Sequence, residues 1–82
     1  MPESDHIIPY GKVRDVSQVG AAIRKKRRDI GMRQAELAAL AGVGVRFLSE
    51  LENGKSSAEI GKVLQVLHRL GLDLLIQLRG AR

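Results

Sequence analysis

The side chains able to do chemistry in this 82-residue chain are cations, not nucleophiles or metal ligands. Arg24, Lys25, Lys26, Arg27 and Arg28 follow one another without a break, and Arg33, Arg46 and Lys55 lie beyond them. The formal net charge is +5, with 14 Lys and Arg against 9 Asp and Glu. Cationic side chains displace the counterions condensed on phosphates, so this balance points to a nucleic-acid partner. Basic surfaces are common, and the charge alone leaves an ordinary solvated face open. Catalysis lacks its parts: the chain has no Gly-rich phosphate loop, Gly-x-Ser-x-Gly elbow, His-Glu-x-x-His pair or acidic metal cluster. His6 and His68 stand far apart with no ligand motif around them, and the absence of cysteine excludes disulfides and thiolate metal sites. The expectation is a protein that is not an enzyme and has no catalytic residue, metal or cofactor. Tyr10 and Phe47 are its only aromatic residues, which argues against base-stacking platforms for RNA or single strands.

A chain of this length makes one domain with a modest core, and self-association is the remaining way to enlarge it. The polar start, Met1 to His6, does not read as a signal peptide, and no apolar run reaches the roughly 18 residues that span a membrane. The expected location is the cytoplasm, at the nucleoid, with no membrane partner.

Three divisions are expected. Residues 1–14, with Pro2, Pro9 and Gly11, read as a loose arm whose Ile7-Ile8 could add a strand. Residues 15–71 read as the main domain, and residues 72–82 as a strand and tail. Asp15 with Gln18 is a capping-box pattern opening a helix that runs to Arg28 or Asp29 and stops at Gly31. Its apolar positions are Val19, Ala22, Ile23 and Ile30, and Arg27 shares their face. Gln34 to Ala41 forms a short helix ending at Gly42. Val43 and Gly44 separate it from a second, Val45 to Leu51 or Glu52, before Asn53-Gly54 breaks the chain. Two short helices on a tight Gly-containing turn make a helix-turn-helix. Ser56 with Glu59 reads as a second capping box, opening a helix with Ile60, Val63, Leu64, Leu67 and Leu70 inward and Val66 off that stripe. Gly20 and Gly61, inside helices, suggest close approach of a neighbour. His68 reads as a surface residue.

The stretch from Arg33 to Lys55 resembles the Xre, phage-repressor-like helix-turn-helix family. The likeness covers roughly residues 15–71 and rests on Gln34, Glu36-Leu37-Ala38, Gly42-Val43, Leu48-Ser49 and Leu51-Glu52-Asn53-Gly54-Lys55. It implies a mainly α, lambda-repressor-like helical bundle that sets the second helix of the motif in the major groove of double-stranded DNA. The base-facing positions then are Gly44, Val45, Arg46, Ser49 and Glu50. Arg46 either bonds guanine O6 and N7 together or contacts a phosphate, and Val45 is placed for a thymine methyl. Phosphate contacts fall to Gln34, Arg33, Asn53, Lys55 and Arg28, while part of the run at 24–28 stays a solvated face. The resemblance further implies an Arg27–Glu52 ion pair that orients the motif. Arg33 replaces the usual Thr or Ser cap, so a weaker cap is expected. Phe47 and Leu40 depart from the polar residues common there and read either as partner contacts or as incidental exposure.

Leu72, Leu74, Ile76 and Leu78 alternate with Asp73, Gln77 and Arg79, with Leu75 the exception, which reads as a strand with one buried face. A lone strand leaves its backbone groups unpaired, so its partner is either the arm near Ile7-Ile8 or the same strand of a second chain. A helix-turn-helix core followed by one such strand resembles the HipB-type antitoxins. That likeness implies a homodimer joined through paired strands and a palindromic operator. It also implies a HipA-type serine/threonine-kinase toxin as partner, with repression of the chain's own operon. A stand-alone Xre-type repressor without a toxin is the alternative, and an interaction module that has lost DNA binding is a third reading.

Overall fold

The computed structural model describes residues 10–80. Four helices follow in order: α1 (Val16–Asp29), α2 (Gln34–Ala41), α3 (Val45–Glu52) and α4 (Ile60–Arg69). The fold is mainly α. Asp15 caps α1 by accepting from Gln18 N at 3.2 Å, while the Gln18 side chain accepts from Arg14 N, one residue ahead of the expected position. The helix ends as expected, at Asp29, with Gly31 in the left-handed region at φ +72°.

Ile23, Leu37, Leu48, Leu51 and Val66 are wholly buried, and Ala38, Ala41, Val63, Leu67 and Leu70 complete the core. α1 packs on α3, while α2 packs on both α3 and α4. Ala38 has almost no exposed surface, as a residue at a helix crossing must. Gly42 at φ +74° lets the chain reverse within the three residues between α2 and α3, and Val43 N donates to Ala38 O at 3.0 Å to close the turn. Gln65 Nε2 donates to Ala41 O at 3.0 Å and ties α4 to the same turn. Gly20 is where α1 meets the end of α3: a Cβ there would lie 2.0 Å from Leu51 O.

Several expectations fail on inspection. Ser56 lies in a turn, and α4 starts at Ile60 with Glu59 as an N-cap that makes no side-chain cap bond. Glu59 instead pairs with Lys62. Val66 is buried and Ile60 is exposed, so the inward stripe of α4 runs through Val63, Val66, Leu67 and Leu70. Ile60 is the first helical residue, and a helical Cβ tilts toward the N-terminus, away from the core here. Ile30 is exposed because it follows the last residue of α1. Gly61 has no neighbour within 4 Å of an added Cβ. Residues 72–78 form no strand in the single chain. Leu72 packs against the core, whereas Leu74, Leu75, Ile76 and Leu78 face water. Among the described residues of one chain, no strand stands beside this segment for it to pair with. The suggested strand at Ile7-Ile8 and most of the arm lie outside the described residues.

Candidate nucleic-acid interface

The site begins at a buried carboxylate. Glu52, the last residue of α3, has no exposed side-chain surface and receives Arg27 twice, Nε at 2.7 Å and Nη2 at 2.8 Å. Arg27 Nη1 also donates to Met32 O at 2.8 Å, so one guanidinium joins α1, the loop before α2 and the end of α3. Gln34 Nε2 donates to Glu52 Oε1 at 3.0 Å, and Arg24 Nε lies 3.6 Å from the same oxygen. Burial alone pushes the Glu52 carboxyl up. The hydrogen bonds from Arg27 and Gln34 and the charges of Arg27 and Arg24 outweigh it, holding the carboxyl below its ordinary 4.5. The hydrogen bond to Glu52 raises Arg27 correspondingly. The pair is the one the family resemblance implied.

From this hub the outer side chains are set. Gln34 is half-buried at the start of α2, its amide fixed by Glu52. Arg24 Nη2 donates to Asn53 Oδ1 at 3.1 Å, which holds the amide oxygen against α1 and leaves the Asn53 NH2 free to donate. Arg33 carries no side-chain cap bond, as expected of a weak cap. Its backbone N–H donates to Glu36 Oε1 at 2.8 Å, and its side chain is largely in solvent. Gly44 and Val45 are exposed at the start of α3, and the Arg46 side chain is 91% exposed. Ser49 and Glu50 are half-buried one turn on. Hydrogen bonds from Lys55 and Arg46 hold Glu50 below the usual carboxylate range.

The basic run divides by direction. Arg24 and Arg27 turn to Glu52, and Lys25 pairs with Asp29 at 2.8 Å. Lys26 and Arg28 form no ion pair among the described residues, and Arg28 is exposed. Phe47 is only half-exposed: it packs against the core, with Lys62 Nζ 5.6 Å from its ring centre. Leu40 is exposed as expected. Sequence reading missed the role of Arg24 toward Asn53, although its three-residue spacing from Arg27 places both on one helix face. It also missed the bridging position of Glu50, legible in the four-residue spacing from Arg46. The described residues contain no group of acidic, histidine or cysteine side chains able to hold a metal, and no helix among them is long and apolar enough to cross a membrane.

Residues 23–76 match the model of the helix-turn-helix family HTH_3. Over 71 residues, 87% of this chain and 93% of the relative, the sequence is 46% identical to the uncharacterized HTH-type transcriptional regulator y4mF of Sinorhizobium fredii. Among solved structures, a HipB variant in a complex with an O2 20mer superposes with a TM-score of 0.75 at 25% identity, covering 83% of this chain and 94% of the other. HipB in the HipA-HipB-O2-O3 complex gives the same TM-score at 24% identity, covering 83% and 96%. The fold is HipB-like.

Proposed function

The chain belongs to the helix-turn-helix family as an Xre-type transcriptional regulator, and from that premise we propose that it is a dimeric operator-binding repressor and the antitoxin of a HipA-type kinase toxin, controlling its own operon in the cytoplasm, at the nucleoid. Residues 15–71 are the DNA-binding domain, residues 72–82 the dimerisation strand and tail, and residues 1–14 an arm. One observation carries the DNA reading: the first turn of α3 presents an exposed Arg46, and that helix is fixed to Gln34 and Asn53 through Glu52 and Arg24. α3 lies in the major groove with Gly44, Val45, Arg46, Ser49 and Glu50 toward the bases. Gln34, Arg33, Asn53, Lys55 and Arg28 meet phosphates on either side. A dimer sets two such helices about 34 Å apart on a palindromic operator.

Arg46→Ala should bind its best duplex, selected from a randomised library, about 10–100-fold more weakly, the discrimination that one bidentate guanine contact provides. Fluorescence anisotropy across a salt series reads this, and the parent's affinity should fall steeply as salt rises. Salt-independent affinity would overturn the DNA reading.

The bare row Leu74, Ile76 and Leu78 supports a second chain as the strand's partner. Deleting residues 72–82 should therefore shift the dimer toward monomer in sedimentation equilibrium, and an unchanged dimer would exclude strand pairing as its main contact. The HipB likeness of fold supports the toxin partner. The stand-alone repressor is favoured by the rhizobial relative, a transcriptional regulator. Affinity capture from native cells separates the two: a near-stoichiometric kinase establishes the antitoxin, and this chain with DNA alone establishes the repressor.

A further inference from the structure

Glu50 stands between two cations of the DNA-facing surface. Its Oε2 accepts from Arg46 Nε at 3.3 Å, and its Oε1 accepts from Lys55 Nζ at 3.2 Å. Arg46 lies one turn earlier on α3, so both side chains share a face. Lys55 returns to the helix through the turn that follows, where its backbone N–H donates to Glu50 O at 3.0 Å. Ion pairs this exposed add little to stability. A carboxylate also repels the phosphates that such a surface meets. Neither folding nor simple charge attraction accounts for this residue.

We infer that Glu50 is a specificity-determining positioning residue, which steadies Arg46 for a base edge and withholds it from indiscriminate phosphate contacts. The inference rests on Arg46 as the base reader proposed above. Glu50 engages Arg46 through Nε alone, which leaves the two terminal nitrogens as a ready fork. Guanine presents two acceptors, O6 and N7, and those nitrogens satisfy both. The Glu50–Arg46 contact therefore survives binding to the correct site, and the guanidinium arrives already oriented. Binding to phosphates alone gains nothing from that orientation. It must draw Arg46 away from Glu50 and then leave the carboxylate facing the polyanion, whereas Lys55 turns to a phosphate in either complex. Glu50 thus weakens sequence-independent binding more than it weakens the correct complex.

The test compares the parent, Glu50→Gln and Arg46→Ala on two duplexes across a salt series. One duplex is the best binder from a randomised library, and the other is its scrambled sequence. Glu50→Gln should bind the scrambled duplex about tenfold more tightly, with a log–log salt slope steeper by about one, because Arg46 is released to the phosphates. The selected duplex should gain nothing, so the specificity ratio falls about tenfold. A parental ratio in Glu50→Gln, with Arg46→Ala still losing the selected duplex, overturns the inference alone. Arg46→Ala binding the selected duplex like the parent overturns the base reading and the inference with it.

Discussion

Glu52→Ala should lower the unfolding free energy by about 3–5 kcal/mol, because it leaves the buried Arg27 guanidinium without its charge partner. Gln34 Nε2 loses its acceptor in the same step. A domain this small holds only a few kcal/mol in its core, so the variant should be largely unfolded at 37 °C by circular dichroism. Replacing both partners, Arg27→Met with Glu52→Leu, should recover much of that loss, since two apolar side chains leave no buried charge. A double variant no more stable than Glu52→Ala would show that the hub acts through something other than charge pairing. The carboxyl also has an acid signature. It is held below its ordinary 4.5, so its contribution is complete above that pH and is lost as the pH falls through the lower folded value. Asp15 and Glu50 are held low as well and share the acid limb. Glu52→Gln should therefore flatten the fall in melting temperature below pH 4.5 without abolishing it. A limb as steep as the parent's would assign the effect to the other carboxyls.

Gly20→Ala should destabilise the domain by about 3 kcal/mol, at the upper end for an overpacked contact. The added methyl would overlap Leu51 O at 2.0 Å, with Leu51 C at 3.0 Å and Glu52 Cα at 3.2 Å. All three atoms are backbone, so no rotamer change relieves the clash and α1 must move off α3. The displacement falls on the residues next to the Arg27–Glu52 pair, so DNA affinity should drop beyond the loss of folded protein. Gly61→Ala is the control. Nothing lies within 4 Å of its new carbon, and relief of glycine's backbone entropy should stabilise α4 by about 0.5 kcal/mol. Chemical denaturation reads both variants, and equal effects would remove the close approach at Gly20 as the cause.

These two residues show how far the sequence speaks for the fold. Arg27 falls eight residues after Val19 on the apolar face of α1, and a cation there requires an anion in the core. With the family resemblance, the partner was legible as Glu52. The turn between α2 and α3 was legible because only Gly42 relaxes at φ +74° in the short link of residues 42–44. Gly20 and Gly61 looked alike as helical glycines, yet only one faces another backbone, which local pattern does not encode. The face of α4 was misread for a related reason. Ile60, Val63, Leu64, Val66, Leu67 and Leu70 hold two overlapping stripes, and the first residue of the helix counted toward the wrong one. Alternation at residues 72–78 states that one face seeks cover. Forming a strand needs hydrogen-bond partners, and the described residues of the single chain offer none, so the alternation is present where no strand forms. At the interface, individual cations were legible, but their division between Glu52, Glu50 and solvent depends on tertiary geometry.

The turn after α3 also bears on how this protein ages. Asn53-Gly54 is the dipeptide most prone to deamidation, in which the glycine nitrogen attacks the asparagine side-chain carbon and closes a five-membered ring. Here Gly54 N donates to Leu51 O at 3.0 Å, and Asn53 Oδ1 is held by Arg24 at 3.1 Å. Nucleophile and target are each tied in a different direction, so the folded chain is restrained from the geometry of ring closure. Conversion would place a second carboxylate beside Glu52, on the side where Arg24 now meets a neutral amide. The contacts that hold Asn53 against Arg24 thus also guard its neutrality over the lifetime of the molecule.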